Sequence, residues 1–116
     1  MEHITVIITT RNRMERLKGC LASIPKAPWV SVIVGCDADY KTAQALCSET
    51  EYPNIVLYSQ KHVGSLRLAN LLASMAPDGL FLLCDDMEIL PGSMEKALEK
   101  FNQEFPDDDG CWVSTR

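Results

Sequence analysis

Three carboxylates stand together in Asp85-Asp86-Met87-Glu88, directly after the apolar run Leu80 to Cys84. Acidic side chains this close repel one another unless a cation, a donor or water offsets them, which makes a hard divalent metal a natural occupant. Mg²⁺ takes one or two protein carboxylates and completes its shell with water and substrate phosphates. The competing reading is a solvated acidic loop ahead of the next helix, where carboxylates also favour the helix dipole. A second acidic position, Asp37, ends the second apolar run, where a carboxylate can accept hydrogen bonds from a base or ribose lying across a sheet edge. Asp39 sits just before a helical segment and reads more simply as its N-cap. A third grouping is Lys61-His62-Val63-Gly64 with Arg67 and Asn70. Gly64 permits close backbone approach and Arg67 has the planar donor set that suits a diphosphate. His62, as a lone histidine, reads as a loop hydrogen-bonding group rather than a catalyst. The fourth grouping, Thr10-Arg11-Asn12-Arg13, follows the first apolar run.

These groups need elements to position them. Five apolar runs have strand length: Ile4 to Thr9, Trp29 to Gly35, Ile55 to Tyr58, Leu80 to Cys84 and Cys111 to Ser114. Their near-continuous apolarity predicts parallel strands covered on both faces. Helical spacing fills the gaps. Met14, Leu17, Leu21 and Ile24 share one helix face; Asn12 with Glu15 resembles a capping box, and Pro25 stops the helix. A shorter helix spans Tyr40 to Ser48. A third carries Leu68, Leu71, Leu72 and Met75 and closes at Ala76-Pro77-Asp78-Gly79. A fourth carries Met94, Leu98, Phe101 and Phe105, beginning near Pro91-Gly92-Ser93 and ending before Pro106. The order β-α-β-α-β-α-β-α-β predicts an α/β three-layer sandwich with a mainly parallel sheet and right-handed crossovers. Ligands on such sheets bind beyond the carboxyl ends of the strands, which is where all four groupings fall.

At 116 residues and 47% hydrophobic, the chain is expected to form one domain, residues 1–116. Eleven Lys and Arg against sixteen Asp and Glu give a net charge of −5, which argues against general nucleic-acid binding. Five widely spaced cysteines without a Cys-x-x-Cys pair read as free thiols of a reducing cytoplasm. Neither a signal peptide nor a transmembrane segment is legible, so a soluble cytoplasmic product is expected.

Taken as a set, Thr9-Thr10-Arg11-Asn12-Arg13, Cys36-Asp37, His62-Val63-Gly64 with Asn70, and Cys84-Asp85-Asp86 with Pro91 resemble the family 2 glycosyltransferases of the GT-A fold. Cys36-Asp37 is a half match to that family's paired acids, and His62 replaces its usual Asn. The resemblance implies a Rossmann-like nucleotide-sugar-binding half with sheet order 3-2-1-4 and the last segment pairing near the fourth strand. It implies that Thr10, Arg13, Asp37, Gly64, Arg67 and Asp85 bind the nucleotide, and that Asp86 ligates Mn²⁺ or Mg²⁺ bridging the diphosphate. The activity implied is glycosyl transfer from a nucleotide-diphosphate sugar to an acceptor hydroxyl, by inverting displacement. The resemblance covers only the donor half. The acceptor site and the catalytic base have no match, and the sugar and acceptor stay unidentified.

Three alternatives compete. A truncated, non-catalytic nucleotide-binding or interaction module keeps the fold without the reaction, assembling with a partner chain or as a homodimer through a bare sheet edge. A receiver-type signalling domain has the right length, but it needs an acidic pair after the first strand, where this chain has Thr9-Thr10-Arg11. A dinucleotide-binding oxidoreductase needs Gly-x-Gly-x-x-Gly at that same place.

Overall fold

The computed structural model describes residues 3–48, 52–76 and 79–106. Strands β1 (Ile4–Thr10), β2 (Val30–Asp37), β3 (Ile55–Ser59) and β4 (Gly79–Cys84) alternate with helices α1 (Met14–Ser23), α2 (Tyr40–Leu46), α3 (Ser65–Ser74) and α4 (Ser93–Glu104). The strands form one parallel sheet in the order β3-β2-β1-β4, as expected. The fifth apolar run, Cys111 to Ser114, and the Asp107 to Asp109 loop lie outside the described residues.

β1 lies inside the sheet between β2 and β4, and its residues are buried toward both faces. Val6 and Ile8 pack on one face with Leu17, Leu21 and Ile24 of α1 and its end, Ala43 and Leu46 of α2, and Met94 of α4. Ile7 packs on the other with Ile33 of β2 and Leu72 of α3. The chain therefore forms helix, sheet and helix layers, with α3 on the opposite face from α1, α2 and α4. Reversing the direction of strand addition after β3 sends a right-handed crossover to that opposite face.

Three expectations need correction. Coverage on both faces holds for β1 and β2 but fails at the outer strands: Leu80 is 50% and Leu82 67% exposed, and Ile55 and Tyr58 are exposed as well. Among the described residues α3 packs on β1 and β2 and leaves Leu80 and Leu82 of β4 exposed. Leu71 and Met75 are likewise exposed, leaving Leu68 and Leu72 as the buried stripe of α3. The capping box is absent. Arg13 is the N-cap of α1 without a side-chain bond, while Asn12 adopts φ 55°, a left-handed conformation that asparagine tolerates. Ile24 has the extended backbone that a residue before proline favours, and this ends α1.

Gly35 sets how closely α3 approaches the sheet. A Cβ there would lie 2.9 Å from Leu68 Cγ and 3.1 Å from Leu72 Cδ1, and both leucines are fully buried. Gly35→Ala is expected to destabilise the chain by about 1–3 kcal/mol through overpacking, measured from the midpoint of urea unfolding. An unchanged midpoint would show that α3 can shift without cost.

Candidate functional site

The parallel register brings the strand ends together. Thr10 lies opposite Cys36, Thr9 opposite Cys84, and Asp37 opposite Ser59. Asp37 and Asp85 therefore sit at the carboxyl ends of the two strands flanking β1, separated laterally by two strand spacings, about 10 Å.

Around Asp85 the structure joins three of the expected residues. Thr10 donates its hydroxyl to Asp85 Oδ2 at 2.9 Å, and Arg13 Nη1 lies 3.2 Å from Oδ1. Asp85 is 5% exposed, whereas the Arg13 side chain is 54% exposed and continues outward from its carboxylate contact. Asp86, the next residue, has a half-exposed side chain at 3.8 Å from Arg16 Nη1. The loop carrying it is clamped to α1, because Ile89 N–H donates to Ser23 Oγ and the Glu88 carboxylate packs over Gly19.

Asp37 anchors the second cluster. Val63 N–H donates to its Oδ1 at 2.9 Å, Gly64 N–H to its Oδ2 at 3.0 Å, and His62 Nδ1 lies 2.8 Å from the same Oδ2. Gly64 begins α3 with φ +90°, which a side chain would strain, and the space where a Cβ would stand is open. Arg67 lies exposed in the first turn of α3 and makes no ion pair among the described residues. The structure thus brings together Thr10, Arg13 and Asp85, and separately Asp37 and Gly64. No described contact ties Arg67 or Asp86 to these carboxylates.

Asp39 is the N-cap of α2 and accepts from Thr42 N–H, as its position predicted. It also accepts from Asn12 N–H at 2.8 Å, tying the loop after β1 to the loop after β2. Ala38, between the two aspartates, adopts φ 52° and donates its N–H to the Ser59 carbonyl. This left-handed residue divides the acids, Asp37 bonding to the loop after β3 and Asp39 to the loop after β1. Neither the His62–Asp37 pair nor the Asn12–Asp39 bond was read from the sequence. The signal for the second is the asparagine itself, a residue suited to the left-handed turn it makes.

Among the described residues no three His, Cys, Asp or Glu side chains converge into a metal cage. Asp86 fits the mode in which a single carboxylate, water and phosphate oxygens share Mg²⁺. Burial, and secondarily nearby carboxylates, push the Cys20 thiol up to about 12; burial, then Asp39 and Cys47, do the same to Cys36. Both therefore stay protonated at neutral pH, as expected of buried structural thiols.

Burial raises the carboxyls of Asp37 and Asp39, but their donors outweigh it. Val63, Gly64 and His62 leave Asp37 below its usual value, and Thr42, Asn12 and Arg11 do so for Asp39. The unfolded chain then binds more protons in acid. The stability that these bonds contribute is fully present above about pH 5 and is lost as pH falls through about 4 and below. Urea unfolding between about pH 7 and pH 3 is expected to show this fall, with a shallower slope for Asp37→Asn. An equal slope in that variant would show that Asp37 titrates alike in the folded and unfolded chain.

No protein-family model matches the chain, and neither does any curated protein. Similarity appears among solved structures. The crystal structure of S. aureus TarS 1-349 aligns with a TM-score of 0.74 and 20% identity, covering 97% of this chain and 38% of that one. The crystal structure of S. aureus TarS aligns with a TM-score of 0.69 and 18% identity, covering 97% and 23%. The chain thus spans well under half the length of either. TarS is a glycosyltransferase, and the compact four-stranded parallel sheet with its four helices gives this chain a glycosyltransferase-like fold.

Proposed function

We propose that the carboxyl edge of the sheet binds a nucleotide-diphosphate sugar with Mn²⁺ or Mg²⁺, and serves transfer of the sugar to an acceptor hydroxyl in the manner of a family 2 glycosyltransferase. The observation that supports this most is the pair of locked carboxylate clusters, Thr10–Arg13–Asp85 and Asp37–Val63–Gly64, on the strands flanking β1. Two walls about 10 Å apart, with loops fixed by buried bonds, suit a flat nucleoside lying across the end of β1.

In this reading Thr10, Arg13 and Asp85 form one wall of the nucleoside site, and Asp37 with Gly64 forms the other. Arg67, exposed at the start of α3, reaches the diphosphate. Asp86 holds the metal, which when bound offsets the charge that develops on the departing diphosphate. Asp37, Asp39 and Asp85 all have their oxygens engaged by donors, so none is poised to take a proton from an acceptor. Donor binding without strong acceptor-dependent turnover is the behaviour expected of residues 1–116.

Titration calorimetry with UDP, GDP and dTDP in the presence of Mn²⁺ tests the binding. Heat is expected from at least one of the three, and Asp86→Ala is expected to remove the dependence on metal. Silence from all three with metal present would contradict the reading. A donor-release assay is expected to show slow hydrolysis that Asp86→Ala abolishes and that candidate acceptors do not stimulate. Strong stimulation by an acceptor would instead mean that a base is present and bring Glu88 and residues 107–109 back into consideration, and a chain that binds donor without any release would be a non-catalytic nucleotide-binding module.

A further inference from the structure

Asp37 has little left to offer a ligand. Its carboxylate has about four acceptor positions, and Val63 N–H, Gly64 N–H and the His62 ring take three of them. Its side chain is 5% exposed. The His62 ring is in the opposite situation: its side chain is 55% exposed, and no described residue hydrogen-bonds its Nε2. Nδ1 faces a buried carboxylate that only accepts, so Nδ1 must carry the hydrogen of that 2.8 Å contact. In a neutral imidazole this leaves Nε2 as a bare acceptor. A carboxylate that orients a histidine and fixes its tautomer makes the far nitrogen a directed group. The orientation is rigid, because the same carboxylate also holds the backbone of Val63 and Gly64, and Ser59 Oγ donates to the Lys61 carbonyl at the other end of the loop.

We propose that His62 Nε2 contacts the nucleoside, accepting a hydrogen bond from it, and that Asp37 acts as the positioning residue behind His62. This rests on the reading that a nucleoside binds at this edge, and it deepens that reading by moving the contact from the buried acid to the exposed ring. The hydrogen comes either from a ring N–H of the base or from a ribose hydroxyl. Either supplies the donor that a bare Nε2 requires.

The test combines one variant with a set of ligands, using the whole chain at about pH 8. Affinities for UDP, N3-methyl-UDP, 2′-deoxy-UDP and 3′-deoxy-UDP are measured with Mg²⁺ for the unaltered chain and for His62→Ala. UDP is expected to bind His62→Ala about fivefold more weakly. The analogue that lacks the donated hydrogen is expected to bind the unaltered chain about fivefold more weakly than UDP, and to lose nothing further in His62→Ala. Which analogue behaves so distinguishes the base from the ribose. Equal losses for all four ligands would reduce His62 to a structural role and overturn the inference while donor binding stands. Absence of UDP binding to the unaltered chain would overturn it too, and GDP or dTDP binding under the same conditions would then leave the broader reading intact.

The tautomer supplies a readout that a merely structural role does not move. In ¹⁵N-labelled chain, the His62 ring nitrogens are expected to report hydrogen on Nδ1 and a bare Nε2, with Nε2 shifting on addition of UDP. Hydrogen on Nε2 in the free chain would overturn the proposal directly.

Discussion

Carboxylates buried at the end of an apolar sheet are tolerable only where donors meet them, and here the donors come from the end of β1, from neighbouring loops or from the helix that follows. Asp85 is met by Thr10 and Arg13, Asp39 by Asn12 and Thr42, and Asp37 by residues 62–64. The bonds run between loops that follow different strands. Removing any one acid would leave unmet donors on the segment that follows another strand or at that strand's end, so the shape of this edge and its charge are one property of the molecule.

That constraint separates the acids by role. Asp37, Asp39 and Asp85 are inward-facing and engaged, so they set geometry; Asp86, His62 and Arg67 are the groups left exposed around them. Rigid anchoring with exposed polar groups is what a binding surface needs to meet a ligand without first ordering itself. The left-handed residues Asn12 and Ala38 mark where the chain turns to make these bonds, and such backbone is held in place by the bonds themselves.

Much of the fold was legible because it depends on local pattern. The apolar runs Ile4 to Thr9 and Trp29 to Gly35 became the two central strands, and the stripe Leu17, Leu21 and Ile24 is buried against them. Asp39 was legible as a cap because capping reaches only three residues. The bonds that build the site were not, since Asp37 meets His62 across 25 positions of sequence and Asp39 meets Asn12 across 27. No periodicity carries such a contact. The same limit explains Asn12, where a local capping pattern yielded to a distant acceptor, and Leu80 and Leu82, whose apolar pattern cannot say which face a neighbouring helix will cover.

The central claim is that this carboxyl edge is a nucleotide-binding surface. Backbone amide shifts of ¹⁵N-labelled chain, followed as UDP and Mg²⁺ are added, test it residue by residue. The account predicts that the changes gather in Thr10 to Arg13, Asp37 to Asp39, Lys61 to Arg67 and Asp85 to Glu88. Changes gathered instead at the opposite edge, around Ile4, Val30, Ile55 and Gly79, or along α4, would contradict it.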